Sequence, residues 1–377
     1  GRQKERYAEL LLLLLCSKRF ENRPRKKYGT IPGKRHIVRH SEAVPPGREF
    51  SLSGPRNRHS GRTGRKRKAQ PNRKIRIIMI AHTIQRIVCL GCLSLITADM
   101  SARDRALEKS IRAFLRDRQA TVAVAVLSDG RMIASIEEKA ELPTMSVFKF
   151  YQVLAVLDPA GGSGLSPDSL LSFGERQLPR DTHSPLRDSI PQGGTLAVRD
   201  LIRYALIVSD NNACDILLAA AGGPEAVDRY VRRQGIRGVT IAATEQTMHE
   251  RFENQYLNRT TAEAAVRMLE RLDTGGLLPA ERRKLVEEAM IASRTGSRRI
   301  RSVLPGDVVA GDKTGSSLRS AEGMTAADND LAFVRLPDGT TYYMAVLVAN
   351  SFEDDRTNDA TIAGISRIVY DYFVERE

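Results

Sequence analysis

Three short stretches of this chain carry residues that could open an amide bond: Ser146-Val147-Phe148-Lys149, Ser209-Asp210-Asn211 and Lys313-Thr314-Gly315-Ser316. A serine hydroxyl is a weak nucleophile until a neighbouring base takes its proton. Ser146 lies where Leu142-Pro143-Thr144 gives way to an apolar run, and residues three apart on a helix share a face, so the Lys149 amine reaches the hydroxyl. The start of a helix also points free backbone N–H groups at any oxyanion that forms there. Ser209 offers a second hydroxyl to pass a proton to a leaving nitrogen, and Asn211 an amide to hold a substrate carbonyl. Lys313–Ser316 follow an apolar strand whose edge can take a substrate as an added strand, with Gly315 permitting close approach. Each stretch also has a plain structural alternative. Ser146 could cap a helix, Ser209–Asn211 could be another cap, and Lys313–Ser316 could be a strand ending in a polar turn.

The elements that must position these groups follow from hydrophobic spacing. Ala106–Arg118 has helical periodicity, and Thr121–Leu127 with Arg131–Ile136 reads as a hairpin across Ser128-Asp129-Gly130. Helices are expected at Val147–Leu157, Val198–Ile207, Asn212–Ala221, Pro224–Gln234, Thr261–Leu272 and Pro279–Ile291. Strands are expected at Val308–Asp312, Leu331–Leu336 and Tyr342–Val348, and a last helix over Thr357–Val374. Strands from the two ends of this region can join in one antiparallel sheet flanked by the terminal helices, with the middle helices as a second lobe. A cleft between two lobes is a usual place for a small-molecule site.

Charge separates this body from what precedes it. The chain has 59 Lys and Arg against 45 Asp and Glu, a net of +14, but residues 1–100 hold 24 of the basic and only 6 of the acidic ones. The remaining 277 residues are therefore mildly acidic, which argues against nucleic acid as a partner of the body. Residues 1–78 read as a basic, unstructured extension. Residues 79–98 read as a secretory signal, with a positive stretch before a short apolar run and small residues at its exit. That run is too short and interrupted for a membrane span. Met79 would be a natural start, with the body beginning near Ser101 and a periplasmic or secreted destination. A nucleic-acid-binding arm is the rival reading of the extension. Of the four cysteines only Cys214 lies in the body, so it must be stable by packing without an internal disulfide.

The order SxxK, SDN, KTG is the set found in class A β-lactamases and penicillin-binding proteins. Together with Met145–Phe150, Ser209–Leu217 and Arg356-Thr357-Asn358, residues 102–375 resemble class A serine β-lactamases of the PER and VEB extended-spectrum type. The resemblance implies an α+β, two-lobe fold of the β-lactamase/D,D-peptidase kind: a five-stranded antiparallel sheet (101–140 and 300–377) and an all-helical lobe (141–299). It implies Ser146 as nucleophile, with Lys149, Ser209, Glu245 and Lys313 completing the catalytic set. The deacylating glutamate has two candidates. Glu245-Gln246-Thr247-Met248-His249 matches the PER-like pattern and its spacing. Glu253–Asn258 resembles the commoner one with a residue too many.

Substrate contacts are expected from Asn211, His249, Thr314, Gly315, Ser316, Arg299 and His183. Of these, Arg299 is assigned to the substrate carboxylate, and His183 stands where relatives place an aromatic cleft wall. The resemblance calls for no metal or other cofactor, a small-molecule β-lactam substrate, no stable membrane anchor and a monomer. A D,D-peptidase that stays acylated is the nearest rival activity.

Overall fold

The computed structural model describes residues 102–375; the basic extension and secretion signal expected over 1–98 lie outside the described residues. Helix α1 covers 102–115. Strands β1 (Thr121–Ser128) and β2 (Arg131–Ile136) form the expected hairpin, turned by Asp129 and Gly130 with positive φ of 50° and 73°. Strands β3 (Val309–Ser316), β4 (Thr325–Arg335) and β5 (Thr341–Ser351) follow much later in sequence. They pair with the hairpin in one antiparallel sheet of order β2-β1-β5-β4-β3.

Both faces of this sheet are covered, which explains why its strands read as nearly continuous apolar runs. Val122, Val124 and Val126 of β1, with Tyr342, Met344, Val346 and Val348 of β5, face one core. Into it α1 contributes Leu107 and Ile111, and the last helix, α9 (Asp355–Val374), contributes Ile362, Ile365, Val369 and Phe373. Those spacings of three and four build one apolar stripe per helix. Gly364 lets α1 and α9 approach, since a Cβ there would lie 2.3 Å from the Phe114 ring.

The opposite face meets the middle helices. These are α2 (Phe148–Leu157), α3 (Val198–Ile207), α4 (Asn211–Ala220), α5 (Pro224–Arg233), α6 (Glu245–Glu250), α7 (Ala262–Asp273) and α8 (Ala280–Ile291). Every residue of α2 is buried, so it is the core helix of this part of the molecule. Outside the expected set are α6, a short helix Pro185–Ser189, an antiparallel pair of Leu170–Gly174 with Gly193–Ala197, and a small sheet of two-residue strands, Leu142–Pro143, Arg259–Thr260 and Val239–Thr240. Strands that short carry no period to read. Strand β3 also runs further than its apolar stretch, through Lys313–Ser316, because its backbone pairs with β4 as far as Ser316 opposite Asp328.

Candidate active site

Ser146 sits in a single 3-10 turn, Met145–Val147, that leads directly into α2. Met145 takes the left-handed φ of 45°, a costly conformation for a side-chain-bearing residue that surrounding contacts must enforce. Those contacts are visible. The Thr144 N–H donates to the Asn258 carbonyl at 2.9 Å, and the Asn329 side-chain amide on β4 donates to the Pro143 and Thr144 carbonyls at 2.7 and 3.1 Å. Gly315 completes the clamp: a Cβ there would be 2.6 Å from the Thr144 oxygen and 3.1 Å from the Ser146 nitrogen. Only glycine lets β3 run this close to the serine turn, which draws the backbone beside Ser316 toward the Ser146 N–H.

Lys149, one turn along α2, is fully buried. Its Nζ lies 3.0 Å from Ser146 Oγ, 2.9 Å from Glu245 Oε1, 2.6 Å from Asn211 Oδ1 and 2.8 Å from the Ser209 carbonyl. Ser146 Oγ in turn donates to Glu245 Oε1 at 3.2 Å. The nucleophile therefore touches both an amine and a carboxylate. Glu245 is buried, whereas the side chain of Glu253 is 72% exposed and faces Arg251 at 3.6 Å. Of the two candidate glutamates, only Glu245 is at the serine.

The Ser209-Asp210-Asn211 stretch arrives from the loop before α4. Ser209 holds a left-handed φ of 56°; Asp210 caps α4 by accepting from the Ala213 N–H at 2.8 Å, and it also ties in the helix Pro185–Ser189 by accepting from the Leu186 N–H at 2.6 Å. The cap reading of this motif is thus correct for Asp210, while its neighbours do something else. Ser209 Oγ accepts from Lys313 Nζ at 3.0 Å and lies 3.3 Å from Lys149 Nζ. Asn211 bridges Lys149 to Thr182 Oγ1, to which its amide donates at 2.6 Å. Burial, aided by the nearby Lys149 ammonium, pushes the Lys313 amine down to about 7.

The cleft has a volume of about 320 Å³, and Ser146, Ser209, Asn211, Thr314, Gly315 and Ser316 line it. His183 and His249 lie on its walls. One ring nitrogen of His183 is 2.9 Å from the Val208 carbonyl, and His249 Nδ1 is 3.1 Å from the Glu245 carbonyl one turn back along α6. Arg299 also reaches the cleft but is buried. Its Nε donates to Asp359 at 2.6 Å. Nη1 donates to the Gly315 and Asn329 carbonyls at 2.9 and 2.8 Å. Nη2 donates to Ser316 Oγ and Asp328, both at 2.8 Å. A guanidinium has five N–H donors, and all five are in use. The structure places Arg299 at the edge of the cleft, with Ser316 Oγ as its partner on the cleft side.

Several site residues carry no sequence signal of their own. Asp215, one turn beyond Asn211, accepts the N–H groups of Glu245 and Gln246 at 2.8 and 3.0 Å, fixing the start of α6. Burial pushes its carboxyl up to about 6. Asn258 closes the base of the same loop, accepting from the Ala242 and Ala243 N–H groups at 2.8 and 2.9 Å. Asp328 and Asp359 hold Arg299 from two different elements. A spacing argument reaches residues three or four apart, and these partners are tens of residues apart.

A profile of the β-lactamase enzyme family matches residues 106–373. The chain is 42% identical over 267 residues to a β-lactamase of Bacteroides uniformis, spanning 70% of this chain and 90% of that protein. It is 31% identical over 281 residues to the extended-spectrum β-lactamase PER-1 of Pseudomonas aeruginosa, spanning 74% and 91%. Among solved structures, a class A β-lactamase from Bacteroides cellulosilyticus matches with a TM-score of 0.69 at 41% identity, covering 72% of this chain and 99% of that one.

Proposed function

The chain belongs to the class A β-lactamases and hydrolyses the amide bond of β-lactam antibiotics, and from that premise we propose how its residues divide the reaction. The observation that carries the proposal is the buried contact of Ser146 Oγ with both Lys149 Nζ at 3.0 Å and Glu245 Oε1 at 3.2 Å.

In acylation, Lys149 or Glu245 removes the Ser146 proton and Oγ attacks the lactam carbonyl. The backbone N–H groups of Ser146 and Ser316 stabilise the developing oxyanion, with Gly315 setting their approach. Ser209, hydrogen-bonded to Lys313 and within reach of Lys149, passes a proton to the lactam nitrogen as the ring opens. In deacylation, Glu245 takes a proton from water, which attacks the ester and frees Ser146. His249 holds the turn of α6 that carries Glu245. Asn211 and His183 face the substrate side chain, and Thr314 and Ser316 face its carboxylate side. Ser316 Oγ accepts from Arg299, so its own hydrogen is free to point into the cleft.

The domain plan belongs to the same proposal. Residues 101–140 and 300–377 form the sheet lobe and 141–299 the helical lobe, preceded by an export signal at 79–98 and an extension at 1–78. The enzyme acts as a monomer in the periplasm or outside the cell, with no stable membrane anchor and no nucleic-acid partner for its catalytic domain. Sustained nitrocefin turnover with an ester intermediate on Ser146, seen by mass spectrometry, supports the chemistry. A single stoichiometric burst would make the protein a penicillin-binding peptidase instead. N-terminal sequencing of the exported protein tests the processing: a start near Ser101 supports it, and residues before Met79 refute it.

A further inference from the structure

Strand β4 holds three consecutive buried polar residues, Asp328-Asn329-Asp330, ahead of its apolar stretch. Side chains alternate along a strand, so the triplet serves two faces. Asp328 accepts from Arg299 Nη2 at 2.8 Å and Asp330 from the Ile300 N–H at 3.1 Å, both on the side of the arginine wall. Asn329 turns the other way. Both hydrogens of its side-chain amide go to the serine turn, to the Pro143 and Thr144 carbonyls at 2.7 and 3.1 Å. The reverse orientation of the amide would set three oxygens against one another, so these two carbonyls fix which atom is the nitrogen. Its own Oδ1 has no partner among the described residues, and a buried acceptor left so costs stability. That cost comes with the one amide that ties the serine turn to the sheet.

We propose that Asn329 is a positioning residue of the oxyanion site, setting both of its N–H groups from one point on β4. The inference rests on the assignment of the Ser146 and Ser316 N–H groups to the oxyanion. On the Ser146 side it acts through its amide. The clamp on the Pro143 and Thr144 carbonyls anchors the chain immediately before Met145, whose left-handed φ of 45° aims the next N–H. Without the clamp Met145 relaxes to an ordinary backbone conformation, and the Ser146 N–H swings with it. On the Ser316 side it acts through its backbone. Asn329 stands opposite Gly315 in the ladder, and the two carbonyls share Arg299 Nη1 at 2.8 and 2.9 Å. The Ser317 N–H donates to the Ala327 carbonyl at 2.9 Å, so the N–H of Ser316, one residue earlier, points off the outer edge of β3. Two donors on different elements must converge on one oxygen, and Asn329 is bonded to both elements.

The test uses the Glu245→Gln protein, in which the acyl adduct on Ser146 persists. Asn329→Ala and Asn329→Ser are each combined with it and acylated by benzylpenicillin isotopically labelled at the lactam carbonyl. Mass spectrometry gives the acylation rate constant, and infrared difference spectra give the stretch of the ester carbonyl. Both Asn329 variants are expected to acylate about 10- to 100-fold more slowly, the size of a misaligned oxyanion donor. Their ester band is expected at higher wavenumber than in Glu245→Gln alone, because the carbonyl is less polarised. Val369→Ala, in the core beneath α9, also removes packing and is expected to leave rate and band in place. A folded Asn329 variant with unchanged rate and band overturns the proposal, and so does a Val369→Ala protein that shifts both equally. If neither Asn329 variant folds, a crystal structure of the acylated Glu245→Gln protein decides. An ester oxygen bonded by both N–H groups, with the Asn329 amide still on Pro143 and Thr144, supports the proposal; an amide turned away overturns it. Failure of Glu245→Gln itself to form any adduct on Ser146 strikes instead the β-lactam reading on which the proposal stands.

Discussion

The two walls of the cleft both bury charge, and they use it in opposite ways. On the helical wall, Lys149, Glu245 and Asn211 converge around Ser146 Oγ, and the lysine and glutamate both touch the hydroxyl. On the sheet wall, Arg299 is held by Asp328, Asp359 and the Gly315 and Asn329 carbonyls, and donates to Ser316 Oγ at the cleft edge. Buried charge costs desolvation wherever it lies, and it is tolerated when paired and hydrogen-bonded. The helical wall aims its paired charge at a reacting atom. The sheet wall spends its paired charge on holding a strand, so removal of a residue should damage chemistry on one side and stability on the other.

The largest expected effect would break this comparison most directly. Glu245→Gln keeps the shape and removes the base, so kcat for nitrocefin should fall about 10²- to 10⁴-fold with an acyl adduct accumulating on Ser146. Glu253→Gln, on the exposed segment, should stay within about twofold of the parent. If Glu253→Gln trapped the adduct instead, the helical wall would have been misassigned.

Next comes the sheet wall. Arg299→Ala leaves Asp328 and Asp359 without their shared cation, and denaturant unfolding should show a loss of roughly 3–5 kcal/mol. A variant as stable as the parent would mean that this wall is not held by its charges.

Lys313 joins the two walls and should give the pH dependence. Its amine, pushed down to about 7 by burial, is charged below that pH and neutral above it. The KM of an anionic β-lactam should therefore rise above about pH 7, by about tenfold per pH unit once the neutral form dominates. Stability has the opposite sign. Between pH 7 and the ordinary lysine range the unfolded chain holds a proton the native state lacks, so this group's contribution to stability grows as pH rises. A KM flat from pH 6 to 9 would remove Lys313 from substrate attraction.

The smallest effect sharpens the picture of the helical wall. Asp215 accepts two N–H groups only as a carboxylate, and its carboxyl is pushed up to about 6 by burial. Below that pH it protonates, one acceptor is lost and α6 is held less firmly, so kcat should decline on the acid side. Asp215→Asn, which cannot ionise, should flatten that decline and lower neutral-pH kcat by about 2- to 10-fold, the value of one hydrogen bond. An unchanged acid limb would show that Asp215 does not set it.

Much of the fold was legible because it is periodic. The β1–β2 hairpin, the core helix α2 and the stripe of α9 each follow from alternation or three-four spacing in their own residues. The sheet class followed from strands lying at both ends of the body with helices between. The Leu170–Gly174 strand pair and the two-residue strands were not legible, since neither has an apolar period long enough to register. Within the site, Ser146, Lys149, Ser209 and Lys313 were found by type and spacing.

Sequence by itself determined which residues could do the chemistry, because a nucleophile, two amines and a glutamate in a fixed order are properties of the chain. Only the tertiary structure decided which of them meet. It placed Glu245 at 2.9 Å from Lys149 and left Glu253 at the surface, though the two glutamates are only eight residues apart in one loop. It also divided adjacent, chemically identical arginines into one saturated by Asp328, Asp359, Ser316 and two carbonyls and one bonded through Nε alone. The physical reason is that a side chain's chemistry depends on how many of its donors and acceptors are already engaged, and those partners come from strands and helices that only folding brings together.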